Sequence, residues 1–565
     1  MITHTVTNQP PPRVDLDEFG TNRPLVEGVE RYDADCALPK LHEVGWHVGT
    51  GQFQHDAELA NTVEPVLHSF DRYGHRIDEV EYHPSYTRII EAAVGYGAHT
   101  SAWAEPRPGA NVARAATFML FAQIEPGHAC PISMTHSVVP ALAASPALAD
   151  QWRPRLLSRG YDGTLAAGKT SALFGMAMTE KQGGSDLRTN MTRAASVGEG
   201  RYELTGHKWF CSAPMSDAFL VLAQAPAGLS CFLVPRVLDD GTRNVFRIAR
   251  LKDKLGNRSN ASSEVEFDGT SGSLVGEEGR GVRTIIEMVS RTRLDCVYGS
   301  TAGMRQSVSE ALWHVRHRAA FGALLIDQPA MSEVVADLAL ESEAATATAL
   351  RLARSHDEDA SDQERAFRRL GTAVAKYWIC KRGPEHAYEA LECLGGNGYS
   401  ESFPLARRYR EQPVMALWEG SGNLIALDVL RALAREPESA DAFESEVSLA
   451  AGEHPLLDDH LAATRRLLRE TAGADPASAA VNARRLVEQL ALALQGSLLV
   501  RTAPPAVSGA FIANRLGESR GHLYGVGGRH QSEGDSLAAL REPAEQLRRP
   551  TIPARPSRVR AVAVA

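Results

Sequence analysis

Gly175-Met-Ala-Met-Thr-Glu-Lys-Gln-Gly-Gly-Ser-Asp186 is the stretch on which the reading turns, because the chain changes character on either side of it. Before it, to about Lys169, apolar residues recur at helical spacing. Val112, Ala115, Ala116, Met119 and Leu120 share one face, which predicts an amphipathic helix from Val112 to Ala122. After it, from Tyr202 to Leu274, the runs are short and extended. Phe219–Leu222 and Cys231–Val234 are brief apolar stretches, and Glu264–Asp268 alternates with period two, which together predict a compact β domain. Helical spacing returns at Gly281, with Val282, Ile285, Ile286 and Val289 on one stripe. Helix-compatible segments follow over Val289–Arg318, Met331–Ser355 and Glu364–Leu394, with a further helix after Ser421, as in a helix bundle.

A chain of 565 residues has room for three or four domains at about 150 residues each. Hydrophobic content of 44% and charged content of 23% belong to an ordinary soluble globular protein. The net charge of -9 argues against a surface coated all over for nucleic acid, although a local basic patch stays open. Such a patch is suggested after about Glu436. That part has no lysine and starts acidic, but from His460 its arginines outnumber acids by roughly two to one. The seven cysteines are scattered and form no Cys-x-x-Cys pair, so they read as reduced thiols, not as disulfides or a metal site. No signal peptide and no bilayer-spanning run are visible, and the expected location is the cytoplasm.

Several segments carry possible chemistry. In Gly175–Asp186, Gly184 precedes Ser185 and Asp186 in a turn whose N–H and hydroxyl groups can face an anion or a ring edge. In His207-Lys-Trp-Phe-Cys-Ser-Ala-Pro214, Trp209 or Phe210 offers a flat face to a planar group, and Ser212 a hydroxyl. Arg318-Ala-Ala-Phe321-Gly-Ala-Leu-Leu-Ile-Asp-Gln328 places a phosphate-binding side chain after a long helix. In Leu394-Gly-Gly-Asn-Gly-Tyr399, Gly395 and Gly396 permit close approach of a pyrophosphate. In Leu417-Trp-Glu-Gly-Ser-Gly-Asn423, Glu419 beside Trp418 can lose solvation and become a useful base. Taken singly these are more often a solvated turn, a core aromatic pair, a helix cap and a carboxylate placed for the helix dipole, and the arginine is as often only a cationic helix end.

Their order is more informative. Thr-Glu-x-x-x-Gly-Ser-Asp, Trp-Phe-x-Ser, Arg-x-x-Phe-Gly-x-x-Leu-x-x-Gln, Leu-Gly-Gly-Asn-Gly and Trp-Glu-Gly-Ser-Gly-Asn, in succession, resemble the acyl-CoA dehydrogenase family. Met178–Asp186, Leu251-Lys-Asp-Lys-Leu-Gly-Asn-Arg-Ser-Asn-Ala261, Ile379-Cys-Lys-Arg-Gly383, Cys130-Pro-Ile-Ser-Met-Thr135 and the opening Thr3–Pro10 resemble its AidB branch. The resemblance implies an α+β chain with the acyl-CoA dehydrogenase fold: an N-terminal helical domain (1–174), a middle β-barrel (175–279), a helical bundle with FAD and the catalytic Glu (280–435), an extra C-terminal helical domain (436–545) and a disordered tail (546–565). It implies FAD as cofactor, an acyl-CoA or related small molecule as substrate, no metal, and a homotetramer. Glu419 matches the base, with Glu180 the poorer candidate. Met178, Thr179 and Gly184 match the FAD loop, Ser185 the substrate channel, and Ser212 the flavin N5. Phe210 is favoured over Trp209 as the ring partner. Arg318, Phe321 and Gln328 match residues that meet the adenosine end of FAD from a neighbouring subunit, Gly395 and Gly396 the pyrophosphate, and Trp418 and Asn423 further cofactor contacts.

Gln328 comes one residue sooner than the usual spacing, and Trp418 stands where tyrosine is common, which implies a narrowed pocket and weak activity on short or branched acyl-CoAs. The AidB branch also implies binding of double-stranded DNA and protection against alkylation, with Arg431, Arg465, Arg466, Arg469, Arg515 and Arg520 as candidates. Two alternatives stand beside this reading: a catabolic dehydrogenase without DNA binding, and a non-enzymatic DNA-binding flavoprotein.

Overall fold

The computed structural model describes residues 3–518 and 521–526; Arg520 and the expected tail 546–565 lie outside the described residues. The N-terminal part holds α1 (Arg23–Arg31), α2 (Leu38–Gly49), α3 (Gly51–Thr62), a hairpin of β1 (Val66–Phe70) and β2 (Arg76–Glu81), then α4 (Pro84–Tyr96), α5 (Ser101–Ala104), α6 (Ala110–Ile124), α7 (Ala129–Leu142) and α8 (Pro146–Leu156). The predicted amphipathic helix is α6, but it is buried on nearly every side. Small alanines let neighbouring helices close around it, so the one-face expectation fails. Arg114, also buried, is satisfied by Asp295 at 2.9 Å and by the Ala98 carbonyl at 2.8 Å. The hairpin adds two strands to a part whose spacing predicts helices. It docks where Asp78 accepts the Ile248 N–H at 3.0 Å.

The middle part is a ring of strands: β3 (Phe174–Ala177), β4 (Arg193–Gly198), β5 (Arg201–Ser212), β6 (Ala218–Ala225), β7 (Gly228–Pro235), β8 (Arg247–Leu251) and β9 (Ser262–Val275). β6 pairs with β7, β7 with β9, β9 with β5, and β5 with β4; Arg193 opposite Gln224 returns β4 to β6 and closes the barrel. Its interior is lined by Phe219, Val221, Phe232, Val234 and Val265, as the short apolar runs predict.

The bundle follows: α9 (Gly281–His317), a tight hairpin of β10 (Ala319–Ala320) and β11 (Ala323–Leu324), α10 (Pro329–Arg354), α11 (Asp362–Glu392), α12 (Pro404–Met415) and α13 (Gly422–Arg435). The stripe expected at the start of α9 divides. Ile285 and Val289 are buried, with Met288, whereas Val282 and Ile286 are exposed, because the barrel covers only one side of these turns.

Four more helices, α14 (Pro437–Val447), α15 (Pro455–Gly473), α16 (Pro476–Thr502) and α17 (Pro505–Leu516), all begin on proline, which suits the first turn because its missing N–H has no partner there. They do not build a core of their own. Phe443, Leu457, Leu486, Leu490, Leu494 and Phe511 belong to the same continuous core as Phe19, Phe121 and Val374. Among the described residues no helix is long and apolar enough to cross a membrane.

Candidate active site

The turn between α12 and α13 presents Glu419. The Lys376 ammonium, from α11 and almost fully buried, donates to the carbonyls of Met415 at 2.8 Å and Gly420 at 3.0 Å. Arg293 of α9 donates to the Glu419 carbonyl at 2.9 Å and pairs with Asp428 of α13 at 2.9 Å. Cations from two helices therefore clamp the turn on both sides of its carboxylate. The clamp matters because Glu419 sits at φ +57°. A non-glycine residue there costs about 1–3 kcal/mol and persists only when its surroundings over-determine it. Glu419 Oε2 is buried and has no hydrogen-bond partner among the described residues. Burial raises its pKa above the ordinary carboxyl value; Arg293, Thr292 and Lys376 oppose the rise. A poorly solvated carboxylate with one oxygen free, on a rigid turn, is suited to take a proton.

Glu180 is the opposite case. It is fully buried, but Lys208 Nζ donates to it at 2.8 Å and the N–H groups of Met191 and Thr192 at 2.6 and 3.1 Å. Despite burial, these bonds hold its carboxyl down at about 2, so it is an anchor and a poor base.

The loop expected to meet the cofactor leaves β3 at Met178. Gly184 lies against Thr179: a Cβ there would come 2.4 Å from Thr179 Oγ1. Ser185 is exposed on the loop. The Thr179 carbonyl accepts the Trp209 N–H at 2.8 Å, joining the loop to the aromatic pair. A bulge in β5 decides how that pair points. The register slips between Lys208 and Cys211, both of which face inward, so Trp209 and Phe210 both lie on the outer face. Lys252 Nζ lies 3.1 Å from the Trp209 ring centroid and 4.8 Å from that of Phe210, which is still half exposed. Ser212, at the end of β5, is half-buried and lies 3.2 Å from Ser262 Oγ. Trp418 packs between Cys296, Cys380 and Met415 on one side and the cluster of Cys130, Met134 and Met288 on the other. Asn423 is exposed in the first turn of α13.

A second group lies elsewhere. Arg318 ends α9 and donates to the Asn8 carbonyl at 2.5 Å, and Gln328 Nε2 bonds the Ala320 carbonyl at 3.0 Å. Phe321, at the hairpin tip, is 99% exposed. Leu394 joins Val315 in one apolar cluster, which brings the Gly395-Gly396 turn towards the same end of the bundle. Among the described residues, both glycines face open space. Gly398 is the packing glycine, because a Cβ there would meet the Leu391 carbonyl at 2.0 Å. From Thr292, beside Glu419, to Arg318 is 26 helical residues, or about 39 Å at 1.5 Å per residue. The two groups thus lie apart and do not form one pocket within the chain.

The arginine candidates divide as well. Arg466 and Arg469 are exposed on α15 and carry no ion pair among the described residues. Arg431 is exposed and lies 3.4 Å from Asp428. Arg465 pairs with Glu444. Arg515 corrects the expectation of a surface site: it is only partly exposed, paired with Asp337 at 2.8 Å and Glu341 at 2.9 Å, and pins α17 to α10. Reading the sequence alone misses Lys376 and Arg293. Their signal is a cation or polar residue inside an otherwise apolar stretch, which does not reveal its partner. Among the described residues no cluster of His, Cys, Asp or Glu could hold a metal ion.

Comparison with known proteins matches residues 8–163 to the family described as adaptive response protein AidB N-terminal domain, 175–270 to the acyl-CoA dehydrogenase middle domain, and 279–434 to the acyl-CoA dehydrogenase C-terminal domain. The chain is 44% identical to the putative acyl-CoA dehydrogenase AidB of Escherichia coli K12, over 90% of this chain and 94% of that protein. It is 29% identical to acyl-CoA dehydrogenase family member 11 of Caenorhabditis elegans, over 73% and 69% of the two chains. Among solved structures, Bd2924 in its apo form aligns with TM-score 0.80 at 26% identity, covering 88% of this chain and 99% of that one. Caenorhabditis elegans ACDH-11 in complex with C11-CoA shares the fold, with TM-score 0.83 at 23% identity over 96% and 98% of the two chains.

Proposed function

Because the chain belongs to the acyl-CoA dehydrogenase family, on its AidB branch, and is an FAD-dependent oxidoreductase, we propose that it oxidises short or branched acyl-CoA thioesters at the α,β bond with Glu419 as the base. The observation that carries this is the unpaired, buried Oε2 of Glu419 on a turn clamped by Lys376 and Arg293. Glu419 takes the proton from the α-carbon, the electron pair of that bond forms the double bond, and the β-hydrogen leaves as hydride. Bound FAD supplies the hydride acceptor. The outer barrel face fits such a ring: Phe210 is half exposed there and Ser212 lies two residues further along β5. Trp418 fills space beside Glu419, which supports a small acyl group.

The separation of the two half-sites supports a homo-oligomer, with Arg318, Phe321, Gln328, Gly395 and Gly396 of one copy serving the cofactor of another; we read it as a tetramer. The cysteines are all free, in keeping with a cytoplasmic protein. Exposed Arg466 and Arg469 support a second role, contact with the phosphates of double-stranded DNA in protection against alkylation. The decisive experiment is anaerobic titration with isovaleryl-CoA followed by visible absorption. Bleaching of the flavin band is expected. A flavin band that stays oxidised overturns the dehydrogenase reading for this substrate class, and failure to take up FAD overturns the proposal altogether.

A further inference from the structure

The stretch Leu251–Ala261 has no part in the reaction above, yet it is tied to all three domains. The Asn257 N–H donates to both oxygens of Glu411 in α12, at 3.0 and 2.9 Å, from a left-handed φ of +56°. Ser259 Oγ donates to Glu125 of the N-terminal part at 2.6 Å. The Ala213 N–H of the barrel donates to the Ala261 carbonyl at 2.8 Å. A Cβ on Gly256 would stand 2.2 Å from the Arg410 carbonyl, so the approach to α12 needs glycine.

This bracing delivers Lys254. Its ammonium donates to the Asn260 carbonyl and, at 3.1 Å, to Ser262 Oγ. Ser262 Oγ is 3.2 Å from Ser212 Oγ, its partner across β5 and β9. Cys130 lies beside both Ser212 and Asn260, and the fully buried Asn260 Oδ1 has no partner among the described residues. Donor chemistry fixes the first bond of the chain. An ammonium can only donate, so Ser262 must accept from it. Either hydroxyl can donate in the Ser262–Ser212 contact; when Ser262 donates, the Ser212 proton is free for Cys130 beside it or for a ligand on the outer barrel face that carries Phe210.

We propose that Lys254 is a positioning residue which, through Ser262, orders the Ser212 hydroxyl as a fixed donor to the ring edge of bound FAD and so favours reduction of the cofactor. This rests on the reading that FAD lies on this barrel face. A preorganised donor stabilises electron density that develops beside it, which is why the equilibrium for reduction is the quantity to measure.

The test equilibrates FAD-loaded full-length protein with a redox dye. Lys254→Met and Ser262→Ala are each expected to make reduction about ten-fold less favourable, about 30 mV for a two-electron couple. Ser262→Thr, which keeps the hydroxyl, should stay within about two-fold of the parent, and the Lys254→Met/Ser262→Ala double variant should add nothing to Lys254→Met. Unchanged equilibria in both single variants with flavin bound overturn the relay. A shift in Lys254→Met alone also overturns it, because the charge would then act without the hydroxyls. If Lys254→Met does not fold, Ser262→Ala against Ser262→Thr decides the matter. A parent protein that takes up no FAD overturns the functional reading itself, and the relay with it.

Discussion

Glu419 is held at φ +57° by groups that touch its backbone, so its side chain can be changed without dismantling the turn. Glu419→Gln should slow flavin reduction in anaerobic rapid mixing by about 10²–10⁴-fold, the range for loss of a general base, while FAD stays bound. In the parent the rate should fall as pH drops through the raised pKa, because the protonated carboxyl cannot accept a proton. Stability has the opposite sense. The folded state favours the protonated form, so this contribution is full below the ordinary value of 4.5 and is lost as pH rises through the folded pKa. Glu419→Gln should therefore raise Tm at high pH and leave it unchanged in acid. Glu180 reverses the sign. Its folded pKa of about 2 contributes stability above 4.5 that is lost as pH falls towards 2. Glu180→Gln strands the buried Lys208 ammonium and should cost about 3–5 kcal/mol in denaturant unfolding at neutral pH.

At the scale of elements, ion pairs decide which helices are available to partners. α17 is fastened to α10 because Arg515 bridges Asp337 and Glu341, and Glu341 also takes Arg382 of α11 at 3.1 Å. Arg515→Ala leaves two buried carboxylates short of a cation. Hydrogen exchange should show α17 opening early, with a loss of about 3–5 kcal/mol. α15 differs: Arg466 and Arg469 stand three residues apart on its exposed side. Replacing both with Ala should weaken binding of a labelled duplex and reduce the salt slope by about one for each phosphate that is no longer neutralised, with Tm unchanged. An unaltered salt slope would remove α15 from any role in holding DNA.

Over the whole molecule, α9 separates Glu419 from the Arg318 group by about 39 Å, so the proposed cofactor site requires a second copy to complete it. Phe321 gives the cleanest test. It is 99% exposed at a hairpin tip, so Phe321→Ala should leave Tm of the apoprotein unchanged and lower FAD occupancy in gel filtration with absorbance detection. Equal occupancy would show that the hairpin serves no cofactor. The same scale explains the last four helices. α16 buries Leu486, Val487, Leu490, Leu494, Leu498 and Leu499 in the common core, each worth about 1.5–3 kcal/mol. That sum rivals the whole stability of a typical domain, about 5–15 kcal/mol. The described helices from Pro437 to Leu516 therefore share the bundle's core.

The sequence by itself determined the α–β–α order, the motifs that carry the family and the candidate base, because helical and strand periods and short motifs are local properties of the chain. Five of its candidate cofactor residues could be named but not grouped. Arg318, Phe321, Gln328, Gly395 and Gly396 match a cofactor site, and only the length of α9 shows that they lie far from Glu419. The choice between Trp209 and Phe210 rests on strict alternation, which a one-residue bulge removes by turning both outward. Arg466 and Arg515 look alike as letters. What separates them is the company of Asp337 and Glu341, 178 and 174 residues earlier in the chain than Arg515, which only the tertiary structure brings together.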